Sequence, residues 1–311
     1  MVHFLIALLA LFTFGAGHAC ACMPELLEEE VADGVMRQIL IHEHHQGGVR
    51  SVWLYYPSEM PEAPMSLVVV PPAGGTLITA PSLSEADQPE HIPYVLAGHA
   101  VVSFEMRGEL GRLATEEEDI EAFIDGRAGV DDAMFAIDRA LEHLNIDEDR
   151  IYAAGHSSAG NVALLLGVED KRIDGVIAYA AKMDIEEHFG SDLIDEATAN
   201  GYPGFRQFIE WSSPIERAEE FTIPIFLFRA KQDPKVEWTN YLYFAGSTAP
   251  GISVFNEVVE GSDHYQTMID FGIPKALQWI DVQEGRLSKK EFLRPRIEAF
   301  MKYIEEEKAT P

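Results

Sequence analysis

The chain has 311 residues, 47% of them apolar, and a formal charge of -29, which is material for one large α/β domain with a substantial core. The charge argues against nucleic-acid binding, because a phosphate-tracking surface needs a clustered excess of Lys and Arg. Both cysteines, Cys20 and Cys22, lie near the amino terminus, so the expected folded domain holds no thiol for a disulfide, a metal site or a cysteine nucleophile.

Residues 1–21 read as a secretory signal peptide. The apolar run Phe4 to Phe12 is too short to span a bilayer comfortably, and small residues follow it. Cleavage after Ala19 or Ala21 satisfies the small-x-small rule, although the usual Lys or Arg is missing from the amino-terminal region. The mature chain is expected to be secreted or periplasmic, without a stable membrane span. Lipid anchoring at Cys20 or Cys22 is the lesser reading, since neither follows the Leu-small-small pattern of a lipobox.

Val35 to His42 and Val49 to Tyr56 are β-rich and predict an antiparallel hairpin at a sheet edge. His42, His44 and His45 at its tip read as a polar turn and not as a metal site, because no matching ligand cluster occurs elsewhere. The apolar run Ser66 to Val70 predicts a strand buried on both faces, ending in Pro71-Pro72-Ala73-Gly74-Gly75-Thr76, where paired glycines let backbone N–H groups approach a ligand. Val101 to Glu105 predicts another strand. Thr115 and Glu118 have the spacing of a capping box, and Val130, Met134, Ile137, Leu141 and Leu144 recur at helical spacing in a helix that ends before Asp147-Glu148-Asp149-Arg150.

Ile151 to Asn161 then reads as strand, sharp turn and helix around a serine. A nucleophile held in a strained turn needs small residues two positions before and after it, and Gly155 and Ala159 flank Ser157 in that way. Ser158 competes, but its register puts His156 in the crowded position. Val176 to Ala181, Ile223 to Phe228 and Ser253 to Val259 predict three further strands. Residues 184–220, between the first two of these, read as a polar, irregular lid insertion. Ala276 to Ile280 belongs to a packing helix, and Ser288 caps a final amphipathic one carrying Phe292, Ile297, Phe300 and Ile304. The alternation predicts an α/β fold, a mostly parallel sheet with helices on both faces, over residues 33–285 with a carboxyl-terminal helix at 286–311 packed on it. In such sheets chemistry collects at the carboxyl ends of strands.

A serine nucleophile requires a general base, and the base an orienting carboxylate. If nucleophile, acid and base follow in that chain order, the base comes after Ser157, and only His188 and His264 do. His264 follows a strand directly. The loop after Phe228 offers Asp233 as the acid; Asp184, after the preceding strand, is the alternative, and Asp263 reads as a loop residue.

The segments Gly155-His156-Ser157-Ser158-Ala159-Gly160, Gln232-Asp233-Pro234-Lys235-Val236 and Gly261-Ser262-Asp263-His264, with Trp211-Ser212-Ser213-Pro214-Ile215, resemble an α/β-hydrolase of the prolyl oligopeptidase and dienelactone hydrolase type. The resemblance covers roughly Val49 to Val282. Two departures stand out: Ala159 replaces the usual elbow glycine, and no second region could form the β-propeller of full-length oligopeptidases, which puts peptidase activity in question.

The resemblance implies acyl transfer to water by Ser157, His264 and Asp233, with the oxyanion held by the N–H of Ser158 and by an N–H from Gly74, Gly75 or Thr76. It implies a small ester or short peptide substrate and no metal or organic cofactor. A catalytically silent binding protein, or an acyltransferase on the same scaffold, is the alternative.

Overall fold

The apolar runs form the middle of a nine-stranded sheet. The computed structural model describes residues 27–43, 49–113 and 115–309. The expected leader, both cysteines, His44 and His45 lie outside them.

Six strands run parallel: β4 (Met65–Val69), β5 (Ala100–Phe104), β6 (Ile146–His156), β7 (Gly175–Tyr179), β8 (Ile225–Ala230) and β9 (Val254–Val259). Three antiparallel strands, β1 (Leu27–Ala32), β2 (Val35–Glu43) and β3 (Val49–Pro57), extend the β5 side, giving the order β1-β2-β3-β5-β4-β6-β7-β8-β9. The predicted hairpin is therefore present as β2 and β3, but it is not the edge. β1 covers it: Glu29 pairs directly with Arg37 and accepts its guanidinium, and Glu28 accepts the Tyr56 hydroxyl. The acidic stretch hid this strand, since carboxylates disfavour a strand unless cross-strand cations and hydroxyls meet them.

Apolar layers cover both faces. On one, α1 (Gln88–Leu96), α9 (Ile273–Gln283) and α10 (Lys289–Ala309) bring Tyr94, Trp279 and Phe292 against Val68, Val101 and Phe226. On the other lie α2 (Glu116–Asp125), α3 (Val130–His143) and α4 (Ser158–Glu169), with Ile137, Val162 and Leu166 among the buried residues. The chain leaves β4 for α1 on the first face and leaves β6 for α4 on the second. A crevice opens where two such connections diverge, between the carboxyl ends of adjacent β4 and β6.

Both anticipated capping boxes form. Thr115 Oγ1 accepts from Glu118 N at 3.2 Å while Glu118 returns the bond to Thr115 N, and Ser288 and Glu291 do the same at the start of α10. In α10, Phe292 is buried against Phe255, whereas Ile297 faces solvent. The helix ends before residues 147–150, and these belong to β6.

The stretch 184–220 is helical, not irregular. It folds as α5 (Ile185–Phe189), α6 (Ser191–Asn200) and α7 (Phe205–Ser212), followed by a 3-10 segment, Pro214–Glu220. Ile185, Ile194, Phe205, Phe208 and Ile209 reach the main core, and Arg206 ties Glu186 to Asp195 on the outside. Each helix buries only one to three apolar residues, which is why the sequence reads as polar and unstructured. A further helix, α8 (Trp238–Ser247), follows the β8 loop.

His91 and His99 are buried in their neutral form. His91 is fully enclosed with no partner for either ring nitrogen, and burial, then the charge of Arg37, lowers its pKa to about 3. Burial, then Arg286, lowers that of His99 to about 4. Below the ordinary histidine value of 6.5 the unfolded chain binds protons that the native state refuses, so stability falls as pH falls toward these values. Urea midpoints should drop between pH 7.5 and pH 5.0, and His91→Phe should drop less than the wild type; an equal drop would contradict the role given to His91.

Candidate active site

At the end of β6 the backbone turns sharply into α4. Ser157 carries the turn at φ 56° and ψ -118°, a conformation costly for any residue with a Cβ, while Ser158 is already the first residue of the helix. The strain thus falls on Ser157. Its N–H donates to Tyr179 O at 2.9 Å, and its carbonyl accepts from Asn161 N at 3.3 Å.

The surrounding small residues have a steric reason. A Cβ on Gly155 would stand 2.3 Å from Ala159 O, and one on Gly160 would stand 2.8 Å from Ala181 Cβ. Ala159 keeps its methyl and is fully buried, so the atypical alanine fits. Asn161, one turn into α4, donates to Lys182 O at 3.1 Å and to Ser212 O at 2.9 Å, fastening the elbow to the end of β7 and to α7. This residue went unread in the sequence, because nothing local distinguishes it from an ordinary helical asparagine.

The loop after β4 reaches the elbow from across the crevice. The N–H groups of Gly74 and Gly75 both donate to Ser158 Oγ at 3.0 Å, with Gly74 at φ 97°. Thr76 instead closes its own turn, accepting from Thr79 N at 3.1 Å. The two glycine N–H groups assigned to an oxyanion site therefore end on a side chain in this arrangement.

The loops after β8 and β9 bring Asp233 and His264 together, with Nδ1 and Oδ2 2.7 Å apart. The other Asp233 oxygen accepts from Lys235 N at 2.9 Å. Burial by itself would raise the Asp233 pKa; the bonds from His264 and Lys235 override it and hold the carboxyl below its ordinary value. Opposite this bond, His264 Nε2 is buried with no hydrogen-bond partner. The His264 carbonyl lies 3.0 Å from His156 Nε2, and the two rings pack at 4.5 Å between centroids. His156 directly precedes Ser157, so the free imidazole nitrogen belongs to a ring seated against the elbow.

The alternatives are placed elsewhere. Asp184 caps α5 through Glu187 N at 2.8 Å, and Asp263 accepts from Tyr265 N and Gln266 N in its own turn. His188 packs on Phe189 and lines a cleft of about 200 Å³ with Lys182, Asp184, Glu187 and Val236, at the ends of β7 and the β8 loop. Among the described residues no three His, Cys, Asp or Glu side chains are grouped to hold a metal, and no helix is long and apolar enough to cross a membrane.

A strained serine between a parallel strand and a helix, with a histidine and a carboxylate on later loops of the same sheet edge, defines the α/β-hydrolase fold, and the chain is a serine hydrolase. Residues 89–275 match the prolyl oligopeptidase family, to which the chain belongs. Solved structures share the fold at low identity. An acetyl xylan esterase from Paenibacillus sp. R4 aligns with a TM-score of 0.61 at 12% identity, over 83% of this chain and 87% of its own. An S-formylglutathione hydrolase from Agrobacterium tumefaciens gives 0.60 at 15%, over 82% and 97%. Oligopeptidase B from Leishmania major gives 0.59 at 15%, over 80% of this chain but 36% of its own, so the present chain spans little more than a third of that peptidase. No curated protein sequence matches the chain significantly.

The contact at Gly155 generates a prediction. Gly155→Ala should lower the unfolding free energy by about 1–3 kcal/mol in urea titrations, as overpacking does. It should also displace Ser157, so that labelling by a serine-reactive phosphonate slows; unchanged stability and labelling would contradict the packing account.

Proposed function

We propose that the protein hydrolyses a carboxylic ester or small amide through an acyl-enzyme on Ser157. The observation that carries this reading is the half-buried His264 ring, bonded to Asp233 at Nδ1, with a buried and unpartnered Nε2, seated against the residue that precedes the strained serine. Asp233 fixes the tautomer that leaves Nε2 as the proton acceptor and opposes the positive charge the ring gains. Ser157 Oγ attacks the carbonyl as its proton passes to Nε2; His264 then returns that proton to the leaving group, and water repeats the sequence on the ester.

The negative oxygen of the tetrahedral intermediate meets the amino-terminal end of α4. There the N–H of Ser158 has no carbonyl one turn back to accept it, and the helix dipole favours negative charge. Gly74 and Gly75 contribute N–H groups once Ser158 Oγ releases them, which needs only rotation about one side-chain bond. The cleft beside Val236 and His188 is the place for one side of the substrate.

Nitrophenyl ester turnover, with aminoacyl nitroanilides in parallel, tests the reading. Ser157→Ala should abolish turnover and Ser158→Ala should retain it. Asp233→Asn should cut kcat by about 10³–10⁴-fold with the fold intact, the cost of a misdirected tautomer. Equal loss in both serine variants, or an unchanged rate in Asp233→Asn, would overturn the assignment.

A further inference from the structure

The loop that carries His264 belongs to neither a strand nor a helix, so what holds the ring in place is a specific question. One fastening is the bond from Nδ1 to Asp233 Oδ2, 2.7 Å, on the loop after β8. A ring held at that point alone is free to swing about the bond, and a displacement of 1 Å at a reacting group costs about 100-fold in rate.

The second fastening comes from the elbow. His156 Nε2 lies 3.0 Å from the main-chain oxygen of His264. A carbonyl oxygen only accepts, so this nitrogen bears the proton and the tautomer of His156 is fixed. The ring is 5% exposed, packs on His264 at 4.5 Å with a 51° tilt, and is met edge-on by Tyr265 at 5.6 Å. Burial, then the nearby His264, lowers its pKa to about 4, which keeps it neutral at pH 7. A neutral ring matters here, because a second imidazolium at this distance would oppose the charge that His264 gains in the reaction.

We propose that His156 is the positioning residue of the base: its Nε2–H ties the His264 main chain to the residue preceding Ser157, so that nucleophile and base are held in register by one hydrogen bond and one peptide unit. Asp233 sets the orientation of the imidazole, and His156 sets its distance from the serine. This inference rests on His264 being the base.

Two full-length variants test it, His156→Phe, which keeps a ring without the donor, and His156→Gln, which keeps an N–H donor. On a nitrophenyl ester, His156→Phe should lose about 10–100-fold in kcat with KM within about twofold, and His156→Gln should recover to within about threefold of the wild type. The proton between His264 Nδ1 and Asp233, read as a far-downfield NMR resonance, should broaden in His156→Phe and stay sharp in His156→Gln. Wild-type kcat with a sharp resonance in His156→Phe, or equal impairment of both variants, overturns the proposal. A wild type inactive on every ester would defeat the proposed function instead, and the resonance would still decide the tether: unchanged in His156→Phe, it overturns it.

Discussion

The positive φ of Ser157 is the constraint on which the rest of the structure depends. A non-glycine residue in that conformation costs roughly 1–3 kcal/mol and persists only when its surroundings over-determine it. Here they do so from four directions. Tyr179 O takes the serine N–H, Gly155 and Gly160 allow contacts that a Cβ would forbid, α4 fixes the chain that follows, and Asn161 binds both the end of β7 and α7. The helical segment after β7 thus supports the elbow as well as extending the core, since Ser212 O receives one of the Asn161 protons.

The sheet order gives this strained point its partners. Because β4 and β6 are neighbours whose connections leave on opposite faces, the loop at Gly74 and Gly75 and the turn at Ser157 face one crevice. Because β7, β8 and β9 follow in parallel on one side, Asp233 and His264 arrive at the same edge. Electrostatics then divides the labour among two buried groups and one half-buried ring: the Asp233 carboxyl is held ionised by its hydrogen bonds, His156 is held neutral by burial, and His264 is left with one nitrogen unpartnered.

Much of this was legible in the sequence, for identifiable reasons. Continuous apolar runs marked the central strands because both of their faces are covered, and Gly155 and Ala159 marked the elbow because the turn excludes bulk. Asp233 and His264 followed from chain order and from standing just after strands. What the sequence hid depends on partners far along the chain. β1 reads as an acidic tail until Arg37 and Tyr56 are placed beside it, and α5 to α7 read as polar because each buries only one to three apolar residues. The bond from His156 to His264 spans 108 residues, and the capture of the Gly74 and Gly75 N–H groups by Ser158 spans more than 80. No local pattern announces contacts of that kind.

The central claim is that chemistry begins at Ser157 and not at its neighbour Ser158. Rapid acid quenching during ester turnover, followed by proteolysis and fragment-ion mass spectrometry, locates the acyl group to a single residue. The account predicts an acyl adduct on Ser157 that disappears in the Ser157→Ala variant. An adduct on Ser158, or turnover with no serine adduct at any quench time under conditions where deacylation is slow, would contradict it.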